Sequence, residues 1–168
     1  MRIKLLLLAA AFLLQACGVQ QYKPTEFPLR PGTIQPFDVK GAATVNNGQP
    51  ATDEVIVYSY VGQKLASNLN AITETMVQQA RSEIAKNGRA AAGRPKTIEL
   101  KVNSLVSNYV FAFWKSSMQY QVKLGNGQTI EKTVTHGSGM VFQDLNGCIA
   151  EGVMNLLKDE KVLAYLAG

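Results

Sequence analysis

Between residues 53 and 86 the apolar side chains Val57, Val61, Leu65, Leu69, Ile72, Met76, Ala80 and Ile84 recur three and four positions apart. That spacing lines one side of an α-helix and predicts a long amphipathic helix. Gln63, Lys64, Ser67, Asn70, Glu74, Gln78, Arg81 and Glu83 form its polar side, and Asn87-Gly88 supplies its stop. Elsewhere the period changes to two. Residues 37–45 alternate, with apolar side chains at 37, 39, 43 and 45, and predict a strand that Gly41 weakens. Residues 97–106 place Ile98, Leu100 and Val102 on one face, and residues 112–124 do the same with Trp114, Met118, Tyr120, Val122 and Leu124. Gly125-Asn126-Gly127 then turns the chain into residues 128–136, so these last two strands form an antiparallel hairpin. A second helix is expected over 144–157, with Asp144 as its N-cap and Leu145, Cys148, Ile149, Gly152, Val153 and Leu156 as its apolar stripe. Asp159 caps a last short turn.

The order β-α-β-β-β-α predicts an α+β fold: a small antiparallel sheet of about four strands, with two helices packed on one face. Residues 37–168 make up this single domain. Residues 18–36 hold Pro24, Pro28, Pro31, Pro36 and Gly32 without apolar periodicity, and read as a tether able to hold the domain up to roughly 50 Å from its attachment.

The attachment is written at the start of the chain. Arg2 and Lys4 precede the apolar run 5–12, and Leu13-Leu14-Gln15-Ala16-Cys17 follows. A basic start, a short apolar core and small residues make a secretory signal segment over 1–16, too short to span a bilayer that needs about 20 apolar residues. With Leu14 and Ala16 three and one positions before the cysteine, the segment resembles the lipobox of bacterial lipoproteins, whose cysteine is lipidated and becomes the first residue. The resemblance implies lipidation at Cys17 and a tether over 17–36. Gly18, where inner-membrane lipoproteins carry aspartate, implies the outer membrane with the domain facing the periplasm. An ordinary cleaved signal beside a chance cysteine is the alternative.

Removing Arg2 and Lys4 lowers 17 basic residues to 15 against 12 acids, so the net charge falls from +5 to +3. Nucleic acid is not implied by so mild a charge. Lipidation of Cys17 leaves Cys148 alone, which excludes a disulfide framework and predicts a buried thiol. With the element order and the C-terminal run from Cys148 to Asp159, the chain resembles the YajG-type lipoproteins and, more distantly, the lipoprotein activators of peptidoglycan synthases and the N-terminal domain of TolB. The resemblance implies a non-enzymatic envelope protein without cofactors.

Candidate chemistry is sparse. Cys148, His136 and Asp144 supply the residue types of a nucleophile, a base and an orienting group, but the apolar stripe around Cys148 raises a thiol pKa instead of activating it. One histidine and one remaining cysteine lack zinc-site spacing, and the glycines at 125, 127, 137 and 139 belong to turns, not to a phosphate loop. Two binding candidates remain. Lys86, Arg89, Arg94 and Lys96 lie on a flexible connector that suits anionic lipid. Phe111 and Phe113, in the cluster Tyr109-Val110-Phe111-Ala112-Phe113-Trp114, fall on the face opposite Trp114 and suit a partner or a second copy. The leading function is thus a lipid-anchored interaction module that binds an envelope protein or itself. The alternatives are a lipid or lipopolysaccharide carrier resembling the assembly lipoprotein LptE, and an envelope hydrolase.

Overall fold

The computed structural model describes residues 18–168, so Cys17 and the expected signal segment 1–16 lie outside the described residues. The chain forms β1 (Val19–Gln21), β2 (Phe37–Lys40), β3 (Ala43–Asn47), β4 (Glu54–Tyr60) and β5 (Gln63–Asn68), then α1 (Leu69–Asn87). After it come β6 (Gly88–Ala91), β7 (Lys96–Val110), β8 (Phe113–Leu124), β9 (Thr129–Ser138), α2 (Val141–Leu156) and α3 (Glu160–Ala167).

The single helix expected over 53–86 is corrected to a hairpin followed by a helix. Val55, Ile56, Val57, Tyr58 and Tyr60 are β-branched or aromatic, types that lose side-chain freedom in a helix and pack well on a pleated surface. Their strand turns at Val61-Gly62, and α1 starts only after Asn68, whose side chain accepts a hydrogen bond from the Ala71 amide at 2.7 Å. Val57 and Leu65 are buried as strand residues, while Val61 stands in solvent at the turn. Their spacing imitated a helical stripe.

The small antiparallel sheet of the α+β expectation is likewise corrected. Seven strands form one mixed sheet in the order β1-β5-β4-β7-β8-β9, with β3 also paired to β7, and β2 and β6 form a separate parallel pair. Strands β3 and β4 both run parallel to β7, on the same edge but at different heights: Ala43 meets Lys96, and Tyr58 meets Ser107. Parallel pairings join segments far apart in sequence, so no local turn signals them. Residues 37–45 split into two strands at Gly41, whose φ is 85°.

Between β3 and β4 the edge of β7 has no strand partner. Side chains fill the interval: the Gln49 amide donates to the Val102 carbonyl at 2.6 Å, and the Val102 amide donates to the Thr73 hydroxyl at 3.0 Å. The register of β7 against β8 shifts at this point, leaving Asn103 as a bulge. Before it Ile98, Leu100 and Val102 face the helices; beyond it the parity flips, so Leu105 and Ser107 face inward and Val106 outward.

Helices α1 and α2 cover the inner face, while the opposite face of β8 and β9 remains polar and exposed. Gly152 lets α2 press close, because a Cβ there would run into the ends of Met118 and Met76. The segment expected as a free tether instead joins the sheet through β1 and then, from Tyr22 to Ile34, forms a strap across the helices. The Tyr22 hydroxyl donates to Asn146 at 2.6 Å, Gln79 donates to the Phe27 carbonyl at 2.7 Å, and Ile34 is buried. Its prolines suit extended chain that packs through side chains.

Candidate functional site

Two hairpins end side by side. Because β4 and β7 run parallel through the Tyr58–Ser107 pair, three further residues bring each to its turn, at Val61 and Val110. Tyr60 and Tyr109 meet across the gap with ring centroids 4.9 Å apart and planes tilted by 41°, and Tyr109 meets Trp114 edge-on at 5.1 Å. Centroid distances of this size are those of favourable aromatic pairs.

Both turns carry bulky side chains on left-handed backbone. Val61 has φ 46° and Phe111 φ 59°, and the Ala112 amide donates to the Val110 carbonyl at 2.8 Å, closing a tight turn around Phe111. Glycine or asparagine ordinarily holds such positions, since a Cβ is crowded there and a β-branched one most of all. These side chains point away from the fold: Phe111 is 94% exposed and Val61 82%. Met140, just past β9, is 56% exposed at the same end, where Ser138 pairs with Trp114. Phe113 is exposed as well. The aromatic cluster drew attention to Phe111 and Phe113; Tyr60 and Val61 were missed because their segment read as helix. The signal for them was Val-Gly after a β-branched run.

The connector cations are not brought together with this end. Segment 86–96 ends α1, forms the short strand β6 paired to β2 and reaches β7 through residues 92–95, so the flexible loop expected there is corrected to those four residues. Lys86 pairs with Glu83 at 2.8 Å and Arg89 with Asp38 at 2.9 Å. Lys96 lies over the Tyr165 ring at 5.0 Å and lines a cleft of about 470 Å³ with Lys161. The Arg94 carbonyl abuts Gly41, which therefore has no room for a Cβ. Lys96 opens β7 and Val110 closes it, so about 45 Å of strand separates this basic end from the hairpin tips.

Cys148, His136 and Asp144 meet around α2 without forming a catalytic arrangement. Asp144 lies in the first turn, but α2 begins at Val141 with Met140 as its cap, which corrects the N-cap expected of Asp144. Its buried carboxylate accepts hydrogen bonds from Ser107 at 2.6 Å and from Ser116, the directly opposed residues of β7 and β8. Its other oxygen has no hydrogen-bond partner among the described residues. The His136 ring occupies the space a side chain at position 147 would need. The Cys148 sulfur faces the Val134 carbonyl at 3.9 Å. Burial, then the charges of Asp144 and Glu151, push its thiol up to about 12, against a lowering backbone hydrogen bond at His136. A thiol so placed is packing material.

Among the described residues no helix is long and apolar enough to cross a membrane. No protein-family model and no curated protein sequence matches this chain.

Proposed function

We propose that this chain is a lipid-anchored, non-catalytic interaction module held at the outer membrane, its domain facing the periplasm and meeting an envelope protein or a second copy. The observation that carries this reading is the position of Gly18. It follows the lipobox cysteine directly, is exposed, and leads at once into the edge strand β1. An acyl group on Cys17 would therefore moor one defined end of a rigid body, because the strap from Tyr22 to Ile34 is fixed to both helices. Kinship with the YajG-type lipoproteins belongs to the proposal and is supported by the lipobox and the run from Cys148 to Asp159, the element order expected with them having been corrected. The polar outer face of β8 and β9, bare of helices, is the surface left for a partner.

The engaged state of Cys148 and Asp144 supports binding over hydrolysis, and the ion pairs of Lys86 and Arg89 remove charge that a lipopolysaccharide carrier would use. Membrane fractionation tests the reading. Wild-type protein is expected with the outer membrane and the Cys17→Ser variant released from it; identical partitioning of the two contradicts the proposal.

A further inference from the structure

We infer that the paired hairpin tips, Val61-Gly62 and Val110-Phe111-Ala112-Phe113, form a second membrane contact that inserts into the lipid surface beside the anchor. This inference rests on the lipid-anchored reading and specifies what the anchored end does. Three observations bring it to lipid instead of to a protein groove.

The first is where β1 joins the sheet. Val19 pairs with Lys64, two positions past Gly62, so β1 enters the sheet at its hairpin-tip end. Gly18 and Val141 line one small cleft with Gly62 and Lys64. Gly18 follows an acylated Cys17 directly, their Cα atoms about 3.8 Å apart. With β1 already in the sheet there is no slack to hold this end off the bilayer.

The second is the shape and chemistry of the end. Its most exposed apolar side chains sit singly on narrow turns, at Val61 and Phe111, and not on a broad flat patch. Behind them lie Tyr60 and Tyr109, exposed amphipathic rings of the kind that favour the level of lipid headgroups, with Trp114 packed edge-on against Tyr109. The third is charge. Lys64 and Lys115, both exposed, stand just below the tips, and residues 55–65, 104–120 and 132–143 contain no aspartate or glutamate. Long cationic side chains there can bury their stems and reach anionic headgroups while the tips enter the acyl boundary. The cations at 86, 89, 94 and 96 then lie at the far end, pointing into the periplasm.

Trp114 is the only tryptophan, so its fluorescence reports on this end alone. Lipidated protein extracted from membranes is reconstituted into phosphatidylethanolamine and phosphatidylglycerol vesicles whose acyl chains carry bromine near the headgroup, a short-range quencher. The expected result is loss of Trp114 fluorescence relative to unbrominated vesicles, with most of it restored in the Val61→Gly, Phe111→Gly double variant. Glycine suits both backbone positions, so that variant folds. Flotation of the same samples reads the anchor separately. Wild-type protein that floats with vesicles without quenching, or with quenching the double variant leaves unchanged, overturns the tip contact and keeps the anchor. Wild-type chain that proves to carry no acyl group when extracted, yet is quenched, supports the tips and removes the anchor. Neither flotation nor quenching overturns both. Pairing of two copies without vesicles, lost in the same variant, assigns the end to self-association and overturns the lipid contact.

Discussion

Tyr60 and Tyr109 stand on parallel strands with ring centroids 4.9 Å apart, and so tie together two turns that are each strained. The strain lies one residue beyond Tyr60 and two beyond Tyr109, at Val61 and Phe111, whose φ angles of 46° and 59° suit glycine. Left-handed backbone costs a residue with a Cβ about 1–2 kcal/mol, and glycine gives back about 0.5–1 through its freer unfolded chain. Because both side chains are largely exposed, removing them sacrifices little burial. Val61→Gly and Phe111→Gly are each expected to raise stability by about 0.5–1 kcal/mol in urea unfolding. A loss of 1 kcal/mol or more, roughly the size of the strain itself, contradicts the account of these turns.

The buried carboxylate of Asp144 holds Ser107 and Ser116 across two strands. Asp144→Ala leaves both hydroxyls buried without their acceptor, and a buried polar group left unmatched costs about 1–3 kcal/mol. The variant should lose about 3 kcal/mol, seen as a lower urea midpoint with an unchanged slope. A cost under about 1 kcal/mol, the size of one ordinary hydrogen bond, places the residue outside the core network.

Alkaline stability follows from three buried groups. Burial raises the Cys148 thiol from 9.0 to about 12, and raises the phenols of Tyr22 and Tyr120 above their ordinary 10.0. Above pH 9 the unfolded thiol releases its proton while the folded one keeps it, so the folded state loses stability as pH rises, by up to about 1.4 kcal/mol per pH unit. The phenols join above pH 10. Thermal unfolding midpoints should therefore fall between pH 9 and 10 in the wild type and fall less steeply in Cys148→Ala, where only the phenols remain; equal slopes exclude the thiol as the cause.

Asp159 caps α3 by accepting from the Lys161 amide at 2.9 Å and the Val162 amide at 3.2 Å, and it pairs with Lys132 of β9. Burial works to raise its carboxyl, but Lys132 and the two amides outweigh burial and hold it below its ordinary 3.8. Its contribution is complete above that value and is lost as pH falls through the lower folded one. Asp159→Asn keeps the cap and loses the charge, whereas Asp159→Ala loses both. Urea unfolding at neutral pH should rank wild type, Asn and Ala in falling order, with Ala about 1–2 kcal/mol below wild type; equal stability of Asn and Ala contradicts the cap.

What the residues announced locally, they built. The β8–β9 hairpin turns where Gly125-Asn126-Gly127 predicts, the second half of the long stripe is α1, and Asp159 starts α3. What escaped depended on distant partners. Strands β1, β3 and β4 reach the sheet through pairings to β5 and β7, and nothing near Val19 or Ala43 in sequence records a neighbour at Lys64 or Lys96. The stripe through Val57, Val61 and Leu65 fitted two periods at once, and the β-branched residues around Val57 decided between them. At the candidate site Phe111 was legible within the aromatic cluster 109–114, whereas its neighbour Val61 became visible only when β4 lay beside β7.

The mass of the protein extracted in detergent from outer membranes decides whether the domain is moored by lipid. A chain that begins at Cys17 and carries acyl chains is expected. A chain with a free Cys17 thiol, or one that still retains residues 1–16, contradicts that mooring.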